Sequence, residues 1–554
     1  MKITKFQFIL TTALVLLCLT YVQTALAADR FVDPKHPYAN DAGNGLVNAP
    51  FKSITTAMKN LQAGDHFLIA PGVYREAIIF PNKNWAVAKQ TTVEGQVKGD
   101  QRVVIKGSQI VSGWRSENAQ KGLFSLPWKM QPQQVYIDGV ALNQIGGTIF
   151  GGFPERPNHE LAKLFASQGG IWPNRVKGDA SRLPENSFYY DQQAMQLYIR
   201  CNCKSLSDKA VEVSALRFLV DGNNLENILL KNIVFQHSTT STLSRGEAVT
   251  LRGKNIQIEH VDVTDMDAGC IGLRGENITL KNSSMGRCGQ TGLAAKGRQI
   301  HIVNNHIYKN NTRGFNKWWE AGGAKFVGEG GINDSTVIGN RVEDNLGDGI
   351  WFDWGPSNNL IKSNVVLRNK GFGIHYEASY GARIEENVVA SNAQRGIYLP
   401  HSSNSVVLSN VVVANGLEGI TVVDEGRRDK SGKLDLLPRN NFVCGNVIAW
   451  NKGGALILPA DMLDNRSDWN TLIGTGNQVK FSLGWWPNRT RPTNLNLEAW
   501  QNLTAQDKNS NTIARAEDLS WVESLDMLSQ QWKMPDLIKD LVGKPKLVDC
   551  SLSK

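Results

Sequence analysis

Pairs of asparagines that stand five residues apart recur along this chain, and no other feature of the sequence constrains its fold as strongly. The first asparagines of successive pairs lie 35, 24, 23, 23 and 36 residues apart, so the basic repeat is 23 to 24 residues long. A fixed period of this kind is typical of a solenoid, in which each repeat packs on its neighbours. The pairs are Asn305/Asn310, Asn340/Asn345, Asn364/Asn369, Asn387/Asn392, Asn410/Asn415 and Asn446/Asn451.

The residues between the asparagines indicate strands and tight turns. Stretches that alternate, such as Gly373-Ile374-His375-Tyr376, are typical of strands, while Asn and Gly are typical of turns. The unit is too short for a strand and a helix in every repeat, and the consensus of leucine-rich repeats is absent. The sequence therefore predicts an all-β protein, a right-handed parallel β-helix, in which asparagines at shared corners satisfy one another.

The limits of the repeat predict the domain organisation. Ile54, Ala57, Met58 and Leu61 have the spacing of a short amphipathic helix, which we expect to cap the open end of the first coil. The period is broken over 116–215 by strand-like runs, and it stops near residue 484. The predicted segments are a signal peptide (1–27), an N-terminal cap with the first coils (28–115), a β-rich insertion (116–215), a parallel β-helix (216–483) and a C-terminal cap (484–554).

Two of the intervals are long because they carry about a dozen extra residues. We place these extra residues at 318–331 and 424–440. A coil cannot absorb them within a strand, so we expect both insertions to leave at a turn and to wall a groove.

The first 27 residues resemble a leader for export. Lys2 and Lys5 precede an apolar run over 8–19, and Ala25-Leu26-Ala27 is a small-x-small cleavage signal. The apolar run is short for a membrane span. The sequence therefore predicts a periplasmic or secreted protein without a stable membrane anchor.

The net charge and the cysteines limit the classes of partner, metal and cofactor that the sequence predicts. Loss of Lys2 and Lys5 would lower the formal net charge from +9 to +7, which suits either an acidic glycan or simple solubility. Lys and Arg do not cluster with aromatic residues, so nucleic acid is not an expected partner. Six of the seven cysteines follow the leader. They show no zinc-ligand spacing, and no metal or cofactor is predicted; their disulfide pairing and the oligomeric state remain open.

The repeat allows equivalent positions on neighbouring coils to be compared. A glycine follows the second asparagine by four residues in five repeats, and the residue after it is always apolar and predicted to point inward. Because side chains alternate along a strand, the second and fourth residues after the glycine are predicted to point outward and the third to point inward. In the first repeat this rule predicts that Phe315 and Lys317 point inward. The glycines are Gly314, Gly349, Gly373, Gly396 and Gly419, and the sixth repeat has Ala455 at this position.

The predicted outward face carries two carboxylic acids in the same position on consecutive coils, Asp353 and Glu377. Parallel strands lie about 4.8 Å apart, close to the separation of roughly 5–5.5 Å between the two carboxyls of retaining glycosidases. Exposed acids on a solvated sheet are the alternative, but like charges on neighbouring strands destabilise a sheet. The residues predicted to contact a sugar beside this pair are Trp318, Trp351, His375, Tyr398 and His401.

Two other acids have less distinctive positions. Asp348 directly precedes its glycine, which is typical of a turn residue, and Glu320 falls in the first insertion, where charged residues are common.

The two-coil motif Gly349-Ile350-Trp351-Phe352-Asp353-Trp354 and Ile374-His375-Tyr376-Glu377 resembles the β-helix glycoside hydrolases of the pectate-lyase-like superfamily, notably the family 120 β-xylosidases. The resemblance implies that Asp353 is the nucleophile and Glu377 the acid/base. It extends in style to most of the chain, and it implies a polysaccharide or oligosaccharide substrate.

Two other functions stay open on the sequence alone. A polysaccharide lyase or uronate epimerase would use residues such as His375, Tyr376, Tyr398, Arg395 or Lys317, although Tyr376 and Lys317 are predicted to point inward. A non-catalytic glycan-binding β-helix would present aromatic residues without a close pair of carboxyls. The fold by itself does not decide among these functions.

Overall fold

The computed structural model describes residues 28–146, 178–239, 247–315, 317, 320–327, 331–484 and 492–524. The predicted signal peptide, Trp318 and the last 30 residues lie outside these ranges. Within them, every helix is too short or too polar to traverse a lipid bilayer.

The chain winds as a parallel β-helix, which confirms the predicted fold class. Each of the later coils contributes a short strand to each of three faces, which we call faces A, B and C, and these strands pair in parallel with their equivalents on the neighbouring coils. Face A consists of Gly322–Phe326, Asp348–Asp353, Ile374–Glu377, Ile397–Pro400, Glu418–Val423, Gly454–Leu458 and Phe481–Leu483. Face B consists of Ile332–Asn333, Thr336–Ile338, Leu360–Lys362, Arg383–Glu385, Val406–Leu408, Phe442–Cys444 and Arg466–Asp468.

Face C runs the whole length of the solenoid. Its strands are Gly72–Tyr74, Val103–Lys106, Ile233–Gln236, Asp262–Thr264, Ser284–Gly286, His306–Tyr308, Arg341–Glu343, Val365–Leu367, Val388–Ala390, Val411–Val413, Val447–Ala449, Thr471–Ile473 and Asn511–Ile513.

Faces A and B are joined in the earlier coils, where one long strand serves both. These strands bend at glycines: Gly275 has φ 142°, and a Cβ there would lie 1.7 Å from the carbonyl oxygen of Gly253 on the preceding coil. Only glycine allows the two backbones to approach so closely. The long strands are Val220–Lys231, Glu247–Glu259, Gly269–Lys281 and Thr291–Val303.

The amino-terminal cap forms as predicted. The helix Ile54–Asn60 begins at Ser53, whose hydroxyl accepts a hydrogen bond from the Thr56 N–H. Its buried residues Ile54, Ala57 and Met58 join the main apolar core. The strands that precede the long ones are Asp29–Val32, His66–Ile69, Ile78–Ile79 and Thr91–Gly95.

The region predicted to be a β-rich insertion forms two small, mostly antiparallel sheets with their own apolar core around Phe188, Leu197 and Val213. It contacts the solenoid through Arg313, which donates a hydrogen bond to Gln144 at 2.7 Å. Its strands are Ser108–Ile110, Arg115–Asn118, Leu123–Pro127, Val135–Ile137, Val140–Ala141, Asn143–Ile145, Ser187–Asp191, Gln196–Arg200 and Val211–Ser214, with 3-10 turns at Ala119–Lys121 and Ala180–Arg182.

The carboxyl-terminal end of the core is covered by the helix Leu497–Thr504. Its Trp500 is fully buried and stacks on Phe481 of the last face A strand, with ring centroids 5.1 Å apart. A 3-10 turn at Gly476–Val479 and a short helix at Ser520–Ser524 complete the described elements of this cap.

The paired asparagines form two continuous ladders inside the corners of the coil, which confirms their predicted stacking. The backbone N–H and the side-chain amide of Asn364 both donate to Oδ1 of Asn387 at 2.9 Å, and Asn387 repeats both bonds with Asn410. The second ladder passes through Asn345, Asn369, Asn392, Asn415 and Asn451. Each buried amide is therefore satisfied by its neighbours in the ladder and by nearby backbone carbonyls, and register is maintained from coil to coil.

The predicted register is wrong for the first of the six repeats. The strand that pairs with Asp348–Asp353 is Gly322–Phe326, so Phe315 and Lys317 do not occupy the face A positions assigned to them. Gly314 lies in a turn with φ 69° and open space around it. Gly323 is the true equivalent of Gly349, because a Cβ there would lie 2.4 Å from the carbonyl oxygen of Gly349. Most of the extra residues thus precede the strand, and the insertion predicted at 318–331 contains it.

The second insertion leaves the coil where it was predicted. Residues 424–441 connect Glu418–Val423 of face A to Phe442–Cys444 of face B, and we call this segment the returning loop.

Two disulfide bonds lie within the described residues. Cys270 and Cys288, 18 residues apart in the sequence, are joined with a Cα–Cα distance of 5.8 Å, and Cys201 is joined to Cys203 in the insertion.

Replacing one rung of a ladder should destabilise the whole solenoid. Asn387→Ala removes the side chain that accepts from Asn364 and donates to Asn410 and to the Ile361 carbonyl oxygen. We expect a loss of about 3 kcal/mol in the free energy of unfolding, measured by chemical denaturation. Asn477→Ala, at an exposed position outside the ladders, is the matched control. Equal stabilities of the two variants would contradict a structural role for the ladder.

Candidate active site

The outward positions of face A form a stack of side chains that runs along the solenoid axis. Lys325, Trp351, His375 and Tyr398 occupy equivalent positions on four consecutive coils. The Lys325 ammonium lies 3.0 Å from the centroid of the Trp351 ring, and the Trp351 and His375 rings stack with centroids 4.9 Å apart. His375 in turn stacks on Tyr398 at 5.0 Å. The stack forms one wall of the candidate site.

Mutual stacking leaves little of these rings exposed. Trp351, His375 and Tyr398 are only 5%, 4% and 3% exposed, so the structure shows them packed on one another rather than displayed as open platforms. Their contact with a sugar stays a prediction.

His401 lies deeper than the sequence suggested. It is fully buried, its Nδ1 faces the Leu436 carbonyl oxygen at 3.0 Å, and its Nε2 accepts a hydrogen bond from the Glu425 N–H. Burial lowers the pKa of this histidine. In this arrangement His401 anchors the returning loop and does not present its ring to the outward face.

Asp353 and Glu377 lie side by side, as the repeat predicted. They are register partners on adjacent parallel strands, and each side chain is more than four-fifths buried. The strand spacing places them about 4.8 Å apart at the backbone.

The two carboxyls have different surroundings. Asp353 receives the Lys325 ammonium at 3.1 Å on one oxygen, and its other oxygen is buried without a hydrogen-bond partner among the residues that the structure describes. Glu377 accepts a hydrogen bond from the Trp351 indole N–H at 3.1 Å and another from the Arg427 guanidinium. His375 Nε2 lies 3.5 Å from the same Glu377 oxygen that Trp351 contacts.

These surroundings shift the two pKa values in opposite directions. Burial raises the pKa of Asp353, and the negative charge of Glu377 adds to the rise, while Lys325 opposes it. Burial also disfavours ionised Glu377, but the charges of His375, Arg427 and Lys325 together outweigh it and lower the pKa. The surroundings therefore favour the ionised form of Glu377 and the protonated form of Asp353.

Asp348 orients His375 rather than making a turn. It belongs to the strand Asp348–Asp353, and its Oδ2 lies 2.9 Å from His375 Nδ1 while its Oδ1 accepts the Phe372 N–H. A carboxylate on Nδ1 holds the imidazole in place and leaves Nε2 facing Glu377. This role is not visible in the sequence because Asp348 is separated from its partner by a whole coil.

The returning loop supplies a further group that sequence reasoning missed. Arg427 reaches back to Glu377 and also lies over the Trp354 ring at 4.9 Å. Glu425 accepts a hydrogen bond from the Tyr398 hydroxyl. Repeat periodicity carries no information about where a loop side chain ends, so no sequence signal marked Arg427.

Lys325 was missed for a different reason. Counting from Gly314 assigned this position to Asn316 and left Lys325 inside the predicted insertion. The glycine doublet Gly322-Gly323 followed by alternating Ala324-Lys325-Phe326 was the signal that would have located it.

The chain was compared with known proteins. The family model for the right handed beta helix region matches residues 258–413 and 316–443. No curated protein matches the chain.

Among solved structures, XylC in complex with xylose is similar with a TM-score of 0.51 and 15% sequence identity, covering 80% of this chain and 86% of that chain. A structure described as a glycoside hydrolase has a TM-score of 0.47 at 10% identity and covers 83% and 97%. The mannuronan C-5 epimerase AlgE4 A-module of Azotobacter vinelandii has a TM-score of 0.43 at 12% identity and covers 88% and 98%. At 15% identity the likeness to XylC supports the right-handed parallel β-helix fold alone.

Removing the Arg427 charge should raise the pKa of Glu377. The guanidinium favours the ionised carboxylate, so the Arg427→Gln variant should titrate Glu377 at a higher pH than the parent protein. The measurement is carboxyl NMR on protein labelled with 13C-glutamate, with the Glu377 signal assigned by its loss in Glu377→Gln. Arg428→Gln is the matched control, because Arg428 pairs with Asp424 in the same loop. An unchanged Glu377 titration in Arg427→Gln would refute the electrostatic role of the loop.

Proposed function

We propose that this protein is an exported carbohydrate-active enzyme, a retaining glycoside hydrolase that uses Asp353 and Glu377 on a polysaccharide or oligosaccharide. One observation carries the proposal. Two largely buried carboxyls are register partners on adjacent coils of an outward face, with opposite pKa shifts. The destabilisation expected of such a like-charged pair favours a functional reason for keeping it.

The reaction needs one ionised and one protonated carboxyl. The ionised group attacks the anomeric carbon while the protonated one gives its proton to the leaving oxygen, so the glycosidic bond breaks as a glycosyl ester forms. A water molecule then attacks the same carbon, gives a proton to the second carboxylate and releases the first. Trp351, His375 and Arg427 are positioned to stabilise charge on Glu377, and Lys325 is positioned to do so on Asp353.

The electrostatics favour one assignment of the two roles. Negative charge on Glu377 and a raised pKa of Asp353 suit Glu377 as the nucleophile and Asp353 as the acid/base. This is opposite to the roles that the resemblance to family 120 implies. The two assignments predict different products with azide.

Export is part of the proposal. The leader-like pattern over residues 1–27 and the disulfide between Cys270 and Cys288 both support a periplasmic or secreted location, because disulfides persist in oxidising compartments.

Loss of either carboxyl should abolish turnover while the fold is retained. We expect Asp353→Asn and Glu377→Gln to lower kcat/KM by roughly 10³-fold on the best substrate from a panel of glycans, followed by mass spectrometry of products. The control variant is Glu385→Gln, which removes a carboxyl on face B of the coil that carries Glu377, and its activity should stay near that of the parent protein. Near-parent activity in both site variants would refute the assignment of the pair.

Azide should separate the two roles. Turnover of the variant that lacks the acid/base should be restored with retention of configuration in the glycosyl azide. The variant that lacks the nucleophile should give the inverted azide. Asp353→Ala and Glu377→Ala are the two variants to compare, and retention in Asp353→Ala would support the assignment from charge.

A second candidate function is a polysaccharide lyase or uronate epimerase. The observation that favours it is the buried Asp348–His375 pair, in which His375 Nε2 is held beside Glu377 and lacks a hydrogen-bond partner among the described residues. A histidine oriented in this way can abstract a proton. A lyase product would carry an unsaturated uronate that absorbs ultraviolet light, and an epimerase would change the configuration of a polymer without cleaving it. With either outcome, inactivity of His375→Ala together with an active Asp353→Asn would favour this function.

A further inference from the structure

A row of basic side chains continues the line of the carboxyl pair toward the amino terminus. Arg252, Arg274 and Lys296, which we call the basic row, occupy equivalent positions on three consecutive coils. Each stands directly before a bend glycine, at the edge of face A.

The basic row has the same register as the pair. Ala294 pairs with Lys325, and Lys325 pairs with Trp351. Lys296 lies two residues after Ala294, and Asp353 lies two residues after Trp351. Lys296 and Asp353 therefore occupy equivalent positions on their coils. The edge of face A thus carries three basic residues and then, after one intervening coil, the two acids.

Charges on face B are arranged differently. There a basic side chain on one coil meets an acid on the next, so the charges cancel from strand to strand. The pairs are Lys231–Glu94 at 3.0 Å, Lys254–Glu226 at 3.2 Å, Lys281–Glu259 at 2.8 Å and Arg298–Asp334 at 2.9 Å. On face A, by contrast, the register partners Arg252, Arg274 and Lys296 carry like charges, and the acids that approach Arg252 and Arg274 stand at other positions of the preceding coil. A row of like charges suits a partner of opposite charge outside the coil.

The two arginines of the basic row contact acids of the preceding coil and still reach the surface. Arg252 donates to Asp221 at 3.0 Å, and an Arg274 nitrogen lies 3.8 Å from a Glu247 oxygen. Both arginines keep about a third of their side-chain surface exposed, 31% and 35%. Guanidinium groups at the surface are suited to bidentate contacts with carboxylates.

The other end of the site is occupied by the returning loop. Its Arg427 contacts Glu377 and its Glu425 contacts Tyr398. Thr421 and Val423, on the next coil of face A, are fully buried. A bound chain that reaches the pair therefore extends toward the amino-terminal coils, where the basic row lies.

We propose that the substrate is an acidic glycan whose carboxylate groups bind the basic row while the bond to be cleaved lies at Asp353 and Glu377. This inference rests on the proposed function for the site of cleavage and adds the class of substrate. The strand spacing places Lys296, Arg274 and Arg252 about 10, 14 and 19 Å from the coil of Asp353, so successive acidic sugars along one chain would meet successive cations.

Glu247 modulates the charge of the row. It is buried, its Oε2 has no hydrogen-bond partner among the described residues, and that oxygen occupies the space that a Cβ on Gly272 would fill. Burial raises the pKa of Glu247 to about 7, with Glu320 adding to the rise and Arg274 and Arg252 opposing it. Below that pH the protonated acid no longer offsets the positive charge of Arg274.

The test is binding to the full-length Glu377→Gln protein, which separates recognition from turnover. The probes are uronic acid oligosaccharides (oligogalacturonates and alginate oligomers) and the same oligomers after reduction of their carboxyl groups. We expect at least one acidic series to bind about tenfold tighter than its reduced form, and Arg274→Gln to raise its Kd about tenfold. Lys98→Gln, in the turn between Thr91–Gly95 and Val103–Lys106, is the control for net charge and should leave Kd unchanged.

Two further measurements would not be reproduced by a misfolded variant: the dependence of Kd on oligosaccharide length and the pH dependence of Kd in Glu247→Gln. Substitution of Lys296 should weaken binding of short oligomers, whereas Arg252 should matter only for oligomers that span about 19 Å. Glu247→Gln should tighten acidic oligomers at pH 8, where the parent carboxylate is ionised, and have little effect at pH 6.

The outcomes distinguish this inference from the proposed function. Equal binding of acidic and reduced oligomers, or unchanged Kd in Arg274→Gln, would overturn the basic row as a carboxylate site, whatever the glycan panel shows about hydrolysis. Tight, row-dependent binding of acidic oligomers that the parent enzyme never cleaves would support the row and count against the hydrolase.

Discussion

Buried amide groups that are satisfied across neighbouring coils hold this structure together. An asparagine inside a corner cannot meet water, so its oxygen and nitrogen depend on identical asparagines about one strand spacing away. A shift of one residue in any coil would leave these groups unpaired and turn the outward side chains of that coil inward. The ladders therefore determine which residues share a row, and the strand residues of the candidate site follow from those rows.

Periodicity explains what could be predicted from the sequence. Asp353 and Glu377 belong to two coils of standard length, so counting from the asparagines was enough to make them neighbours. Lys325 belongs to a coil with extra residues, and counting from Gly314 placed the wrong residues beside Trp351. Arg427 lies on a loop whose path is set by its own contacts. The depth of His401 likewise depends on the loop that covers it.

The arrangement of charged side chains differs between face A and face B of the solenoid. On face B opposite charges alternate from coil to coil, which is the arrangement expected of a sheet that needs no ligand. On face A like charges accumulate, first three cations and then two acids. Lys325, between the two groups, contacts both an aromatic ring and Asp353 and so joins the aromatic stack to the carboxyl pair. Repulsion between like charges in each group destabilises face A, and a bound ligand of opposite charge would relieve that repulsion.

The returning loop has a consequence for how such a protein can evolve. It departs and re-enters at a turn, so its length and sequence can change without altering the phase of the coils that carry Glu377 and Tyr398. An addition within the face A strands has no such freedom, because only a whole coil preserves both ladders. Variation in this architecture therefore comes in two sizes: gradual changes in the loop that tune the chemistry, and the gain or loss of an entire coil, which moves one half of the face by a full strand spacing relative to the other.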